Sequence, residues 1–265
     1  MKTTRALLVV IVALLSCQSL HATDEHFNWH ASAAAHSNYI WRGLYVGGLS
    51  LQADAEVSYY GAFINMWWNV GATDYNNFFG TNKSLPQPRL NPEVDMTVGW
   101  SGYGLTVMFM HMYYFDKYLD GTGSRYFDFG NHGPGEGGVT TEWRVKYVGQ
   151  HNYPFSILWC TRTFGRDGYY DDAGNLKRAY STYIELGYDW TLPYEINLGA
   201  RVGFTPWKSM YTGFTKDFAV VNLQLNLNRS WQVAEHAAVN VGGTFMLNPE
   251  SKMPLWNITF GVTAF

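Results

Sequence analysis

From Phe27 onward, hydrophobic and polar residues alternate with a period of two in segment after segment. That is the spacing of strands whose two faces meet different surroundings. In 218–228, Ala219, Val221, Leu223, Leu225 and Leu227 share one face, and Asn222, Gln224, Asn226 and Asn228 the other. In 194–205, Tyr194, Ile196, Leu198, Ala200, Val202 and Phe204 oppose Glu195, Asn197, Arg201 and Thr205. The same split recurs at 51–60, 139–148 and 180–190. A helix built on this pattern would carry charge around its whole circumference, so strands are the only consistent reading. They are predicted near 27–44, 50–60, 61–71, 92–101, 103–115, 139–149, 155–165, 180–192, 194–205, 217–229, 236–247 and 255–265.

About twelve strands, most of roughly 10–12 residues, exceed the length usual in soluble sheets and suit tilted crossings of a bilayer. Their connections alternate in length. Tight turns are expected at Tyr60-Gly61, Ser101-Gly102, 149–154, Leu192-Pro193 and 230–235. Longer loops are expected at 72–91, 116–138, 166–179, 206–216 and 248–254, with a short first connection at Tyr45–Leu49. Short turns at one end and long loops at the other, with aromatic residues toward strand ends, predict an all-β, antiparallel up-and-down transmembrane β-barrel. A soluble β-sandwich is the alternative, and it would bury the same apolar faces against each other.

Charged residues make up only 15% of the 265, against 17% aromatic, and no stretch beyond the N-terminus approaches the length of a membrane helix. A net charge of -3 argues against nucleic acid as a partner. Residues 1–22 read as a signal peptide: Lys2 and Arg5, then an apolar run, then Leu20-His21-Ala22 before cleavage. The barrel then occupies 23–265, and the expected address is the bacterial outer membrane. Leu14-Leu15-Ser16-Cys17 also resembles a lipoprotein signal, leaving lipidation of Cys17 open. With Cys17 removed, Cys160 stands alone and no internal disulfide is available.

Ser37-Asn38-Tyr39-Ile40-Trp41-Arg42-Gly43, placed on the first strand, resembles the opening motif of the Gcw_chp (TorF-like) family of bacterial outer-membrane proteins. The resemblance implies a twelve-strand type of barrel, a channel or transport role, and no catalytic residues. The terminal Phe260-Gly-Val-Thr-Ala-Phe265 also resembles the signal read by barrel assembly machinery, although Phe265 is out of phase with the apolar face.

If apolar faces meet lipid, polar faces converge inside. The predicted lumen-lining set is then Arg42, Asp54, Glu56, Asp95, Glu142, Arg144, Lys146, Arg162, Glu185, Asp189, Glu195 and Arg201. Unpaired charges are costly in a dry interior, so the lumen is either a wet pore or a closed network of pairs. The first solution predicts a narrow porin-like channel for small polar solutes. The second predicts a plugged barrel that binds a partner through long loops rich in aromatics, among them Tyr75, Phe78, Phe79, Tyr126, Phe127, Tyr169, Tyr170, Trp207 and Tyr211. A third reading, a lipid hydrolase, rests on His30-Ala31-Ser32, where histidine and serine share a strand face. It requires that face to meet lipid, and the expectation is a protein without enzymatic activity. His111 is expected in the lumen; Asp167–Asn175 gathers oxygen ligands without the spacing of a calcium loop, and Gly130–Gly138 is a flexible loop. No metal or cofactor is predicted. Outer-membrane lipid, the assembly machinery and a small polar solute are the expected partners.

Overall fold

The computed structural model describes residues 26–71, 92–115, 125–134, 136–149 and 153–265. The proposed signal peptide and Cys17, and the loop aromatics Tyr75, Phe78 and Phe79, lie outside the described residues. Among the described residues, twelve strands close into one antiparallel barrel. In chain order they are β1 (Phe27–His36), β4 (Ser50–Tyr59), β5 (Ala62–Gly71), β6 (Glu93–Gly102), β7 (Leu105–Tyr114), β8 (Val139–Val148), β9 (Phe155–Gly165), β12 (Thr182–Leu192), β13 (Ile196–Thr205), β14 (Ala219–Ala234), β15 (Ala237–Asn248) and β16 (Met253–Ala264). Each pairs with its neighbour in sequence. The ring closes between β1 and β16, from Ala31 opposite Ala264 to His36 opposite Thr259.

Closure leaves no sheet edge, and the outer surface shows what surrounds it. Ile64, Val98, Val145, Ile157, Leu186, Val202, Leu225, Phe245, Ile258 and Phe260 all stand exposed, a belt that water would penalise and acyl chains accept. Aromatic residues ring both ends of this belt. Tyr59, Trp100, Tyr147, Trp190 and Trp231 lie toward the tight turns, and Phe127, Phe164, Tyr180 and Phe218 toward the long loops. The sandwich alternative is excluded, because the apolar faces point out of a closed ring.

Tight turns follow backbone chemistry. Tyr60-Gly61 and Tyr103-Gly104 each place two successive residues at positive φ, the conformation of a two-residue hairpin whose twist matches its strands. The second lies two residues beyond the expected Ser101-Gly102. Tyr194 and Glu195, expected on the wall, instead form the turn between β12 and β13 with φ of 64° and 58°. β14 runs on to Ala234, so its turn falls at Glu235-His236.

The main departure concerns the first strand. β1 stops at His36, and residues 37–49 leave the wall and fold into the barrel. They form a small hairpin of β2 (Tyr39–Trp41) and β3 (Leu44–Gly47). Its turn is Arg42-Gly43, with φ of 49° and 82°, the same backbone solution as Tyr60-Gly61. The first connection is therefore long and internal. A second hairpin, β10 (Gly168–Tyr170) with β11 (Leu176–Arg178), stands in the loop after β9.

A bulge changes one face. In the pairing of β13 with β14, Gly203 faces Asn222 and Phe204 faces Val220, leaving Val221 unpaired. Beyond that point the alternation inverts. Ala219 and Val221, expected on the lipid side, pack instead with Cys160, Tyr183 and Tyr211 in a buried cluster.

Candidate functional site in the barrel interior

Arg42 sits at the tip of the inward hairpin and reaches Glu142 on β8 through two parallel bonds, Nη1–Oε2 of 2.8 Å and Nη2–Oε1 of 2.9 Å. Both side chains are almost wholly buried. Arg42 also donates to the Tyr211 hydroxyl at 2.9 Å and to Cys160 Sγ at 2.8 Å, and it lies over the rings of Trp41 and Tyr183. Glu142 takes a second cation, since the Arg144 Nε–H also donates to it. A guanidinium in a two-pronged pair with further partners fills the four donor positions of its two Nη atoms, as burial demands.

Polar groups of the wall hold the remainder of the hairpin. The Asn38 backbone N–H donates to Asn257 Oδ1 and its side-chain amide to the Trp256 carbonyl, both on β16, and the Tyr39 hydroxyl donates to Glu93 of β6 at 3.1 Å. On the far side, the Gly43 carbonyl accepts from Asn248 of β15 at 2.9 Å. The hairpin is thus tied to β6, β8, β15 and β16 and spans the interior.

Two cavities flank it. One, of about 570 Å³, lies toward the long loops and has Tyr39, Trp41, Glu93, Asp95, Arg162 and Arg166 in its wall. The other, of about 540 Å³, lies toward the tight turns and includes Arg42, Asp54, Asp95, Arg144 and Glu185. Tyr39, Trp41 and Asp95 belong to both.

These cavities gather six of the twelve charged residues singled out from sequence, namely Arg42, Asp54, Asp95, Arg144, Arg162 and Glu185. Glu142 adjoins them through its arginines. Asp54 accepts from Asn65 at 2.7 Å and contacts His30 at the same distance. Glu185 accepts from the Tyr183 hydroxyl and lies 3.8 Å from Arg201, which also pairs with Asp189 at 2.6 Å. Glu56 stands opposite His30 and Asn65 in the strand register. Lys146 and Glu195 are exposed at the tight-turn end. Glu195 is corrected from wall residue to turn residue, because the three-residue turn Pro193–Glu195 takes it out of the alternation.

Glu93 escaped the sequence reading. It lies two positions before Asp95, so the same period-two argument places both on one face, and both are buried. The inward path of 37–49 also had a signal, the Arg42-Gly43 dipeptide, which has the turn chemistry of Tyr60-Gly61.

The other candidates fall as follows. His30 faces inward onto Asp54, away from lipid. His111 is not a lumen residue: it pairs in register with lipid-facing Met96 and is covered from outside by Tyr126, Phe127 and Phe129. Its neighbour Met112 takes the inward position. Asp171 spends one oxygen on the backbone amides of Ala173 and Asn175, capping the β10–β11 turn. Among the described residues no cluster of three metal-ligating side chains occurs.

The architecture has solved counterparts. The COG4313 outer membrane channel from Pseudomonas putida F1 superposes with a TM-score of 0.50 at 6% identity, covering 93% of this chain and 98% of that one. The NanC porin gives 0.47 at 10% identity, covering 90% and 100%, and the KdgM porin 0.45 at 6%, covering 89% and 98%. No protein-family model matches the chain, and no curated protein matches it in sequence. At such identities a likeness carries the fold alone. With the closed ring and its exposed apolar belt, the chain is an outer-membrane β-barrel of porin-like architecture.

Proposed function

We propose that this barrel is a narrow channel for small polar solutes and that the inward hairpin of residues 37–49 forms its constriction. The observation that carries this reading is the pair of cavities, about 570 Å³ and 540 Å³, meeting at Tyr39, Trp41 and Asp95. A twelve-stranded ring encloses more room than an eight-stranded one filled by side chains, and less than a porin of sixteen. The charges lining the interior have both signs, which gives weak preference between anions and cations. The Ser37–Gly43 motif supports membership of the Gcw_chp (TorF-like) family, with residues 1–22 as the export signal. Surrounding lipid and the barrel assembly machinery are the remaining partners in this reading.

A plugged barrel that binds a partner through its loops is the second reading. The two-pronged Arg42–Glu142 pair favours it, because that pair fastens the hairpin across the interior. Planar-bilayer recording separates the two. The channel reading expects small, steady conductance from the unmodified protein and larger conductance from an R42A/E142Q variant with a released hairpin. Silence of both proteins at every voltage removes the channel and leaves the plug.

A further inference from the structure

The cavity on the long-loop side carries a specific distribution of charge. Its charged wall residues are Glu93 and Asp95 on β6 and Arg162 and Arg166 at the end of β9, two of each sign. Between them stand the rings of Tyr39, Trp41, Tyr114 and Phe214. Two of these charged groups are incompletely satisfied although buried. Asp95 is 7% exposed and Arg162 5% exposed, and Asp95 Oδ1 and Arg162 Nε have no hydrogen-bond partner among the described residues. Buried polar atoms are ordinarily paired, and leaving one without a partner is unfavourable. The carboxyl and the guanidinium that carry these two unpartnered atoms line one aromatic cavity with opposite charge, and together they define a complementary guest. It must donate hydrogen bonds from a cationic group on one side and accept them with an anionic group on the other.

We infer that the long-loop cavity is a binding site for a small zwitterion of the amino-acid type. The ammonium meets Glu93 and Asp95, the carboxylate meets Arg162 and Arg166, and the apolar portion packs on the rings. The aromatic faces add to the cationic side, since a ring attracts an ammonium placed over it. Arginine suits the other pole, because its planar fork matches a carboxylate. The inference rests on the channel reading in naming the solute class, but binding and conduction are separate measurements.

The test uses the purified, folded barrel in detergent micelles and three probes titrated by calorimetry. L-Phenylalanine carries both charges, L-phenylalaninamide only the positive one, and N-acetyl-L-phenylalanine only the negative one. The expected result is binding of L-phenylalanine at least about tenfold tighter than either analogue. D95N weakens L-phenylalanine and the amide but not the acetyl compound, and R162Q weakens L-phenylalanine and the acetyl compound but not the amide. Equal affinity for all three probes, or heat from none, overturns the inference. Should either variant fail to fold, the three-probe comparison on the unmodified protein decides alone. A barrel that conducts ions yet binds no probe sinks this site and spares the channel, whereas one that binds the zwitterion without conducting does the opposite.

Discussion

Gly43 lies so close to Val221 that a Cβ added to it would stand 1.8 Å from the Val221 carbonyl oxygen. Its φ of +82° already disfavours a side chain. The bulge that pulls Val221 out of register and the turn that drives Gly43 inward are therefore two halves of one contact. Gly43→Ala is expected to add strain of about 1–3 kcal/mol and lift the hairpin tip from β14. Cys160, a free buried thiol bonded by Arg42, reports the change. Maleimide labelling of Cys160 should accelerate several-fold in the variant. Gly243→Ala, where a Cβ meets nothing within 4 Å, should leave the rate unchanged.

The Arg42–Glu142 pair makes a different demand. Removing one partner of a buried pair leaves the other charge stranded, a loss of about 3–5 kcal/mol. Here the loss is lopsided, because Glu142 retains Arg144 whereas the other hydrogen-bond partners of Arg42 are the neutral Tyr211 hydroxyl and Cys160 thiol. Glu142→Ala should therefore destabilise more than Arg42→Ala. R42A/E142A should lose less than the sum of its two single variants. Urea titration of the refolded barrel, followed by tryptophan fluorescence, gives the four stabilities of the cycle. Strict additivity would mean that the two side chains do not interact.

The wall was legible in the sequence and the interior only in part, for reasons that particular residues make plain. Leu223, Leu225 and Leu227 alternate against Gln224 and Asn226 because lipid and lumen impose opposite requirements on successive positions, so the strand and its outer face follow from the letters. Val221 breaks the alternation, since one inserted residue inverts every face beyond it and apolar letters look the same on either side. Ser37–Gly43 was the costliest misplacement. Its aromatic residues suit an interfacial girdle as well as they suit an interior hairpin. Only the ladder between β1 and β16, which ends at His36, shows that the chain has left the wall. Arg162 and Asp95 could be assigned to the interior, but their shared cavity depends on which strands meet across the ring.

Asp167, in the loop after β9, offers a pH test away from the membrane. Burial pushes its carboxyl above the ordinary range, against the opposing pull of Arg162, the Ser181 hydrogen bonds and Arg178. A carboxyl with a raised folded-state pKa binds its proton more tightly in the folded loop than in the opened one. Local stability is therefore fully present in acid and falls as pH rises from about 4 through the raised value. The Ser181 amide, which donates to Asp167 Oδ2 at 2.8 Å, is the probe. Its protection from hydrogen exchange, corrected for intrinsic rates, should decline across that window and become flat in Asp167→Asn. Protection that rises with pH in the unmodified loop would show that the cations outweigh burial.

Gln224 and Leu225 are consecutive on β14 and meet opposite surroundings. Gln224 lies in the wall of the cavity toward the tight turns, bonded to Asn226 at 2.8 Å, whereas Leu225 is 51% exposed between Ala200 and Phe245 on the outer belt. An arginine at mid-belt must leave water for hydrocarbon, which costs about 2–4 kcal/mol in barrels of this kind. The same arginine at 224 enters a cavity that already holds Glu185 and Asp54. Leu225→Arg should therefore lower folding stability in lipid vesicles by that amount, and Gln224→Arg should change it by less than about 1 kcal/mol. In detergent-free buffer Leu225→Arg has no hydrocarbon to enter, so the penalty is specific to folding into a bilayer. Comparable losses at the two positions would mean that the belt carrying Leu225 does not face acyl chains.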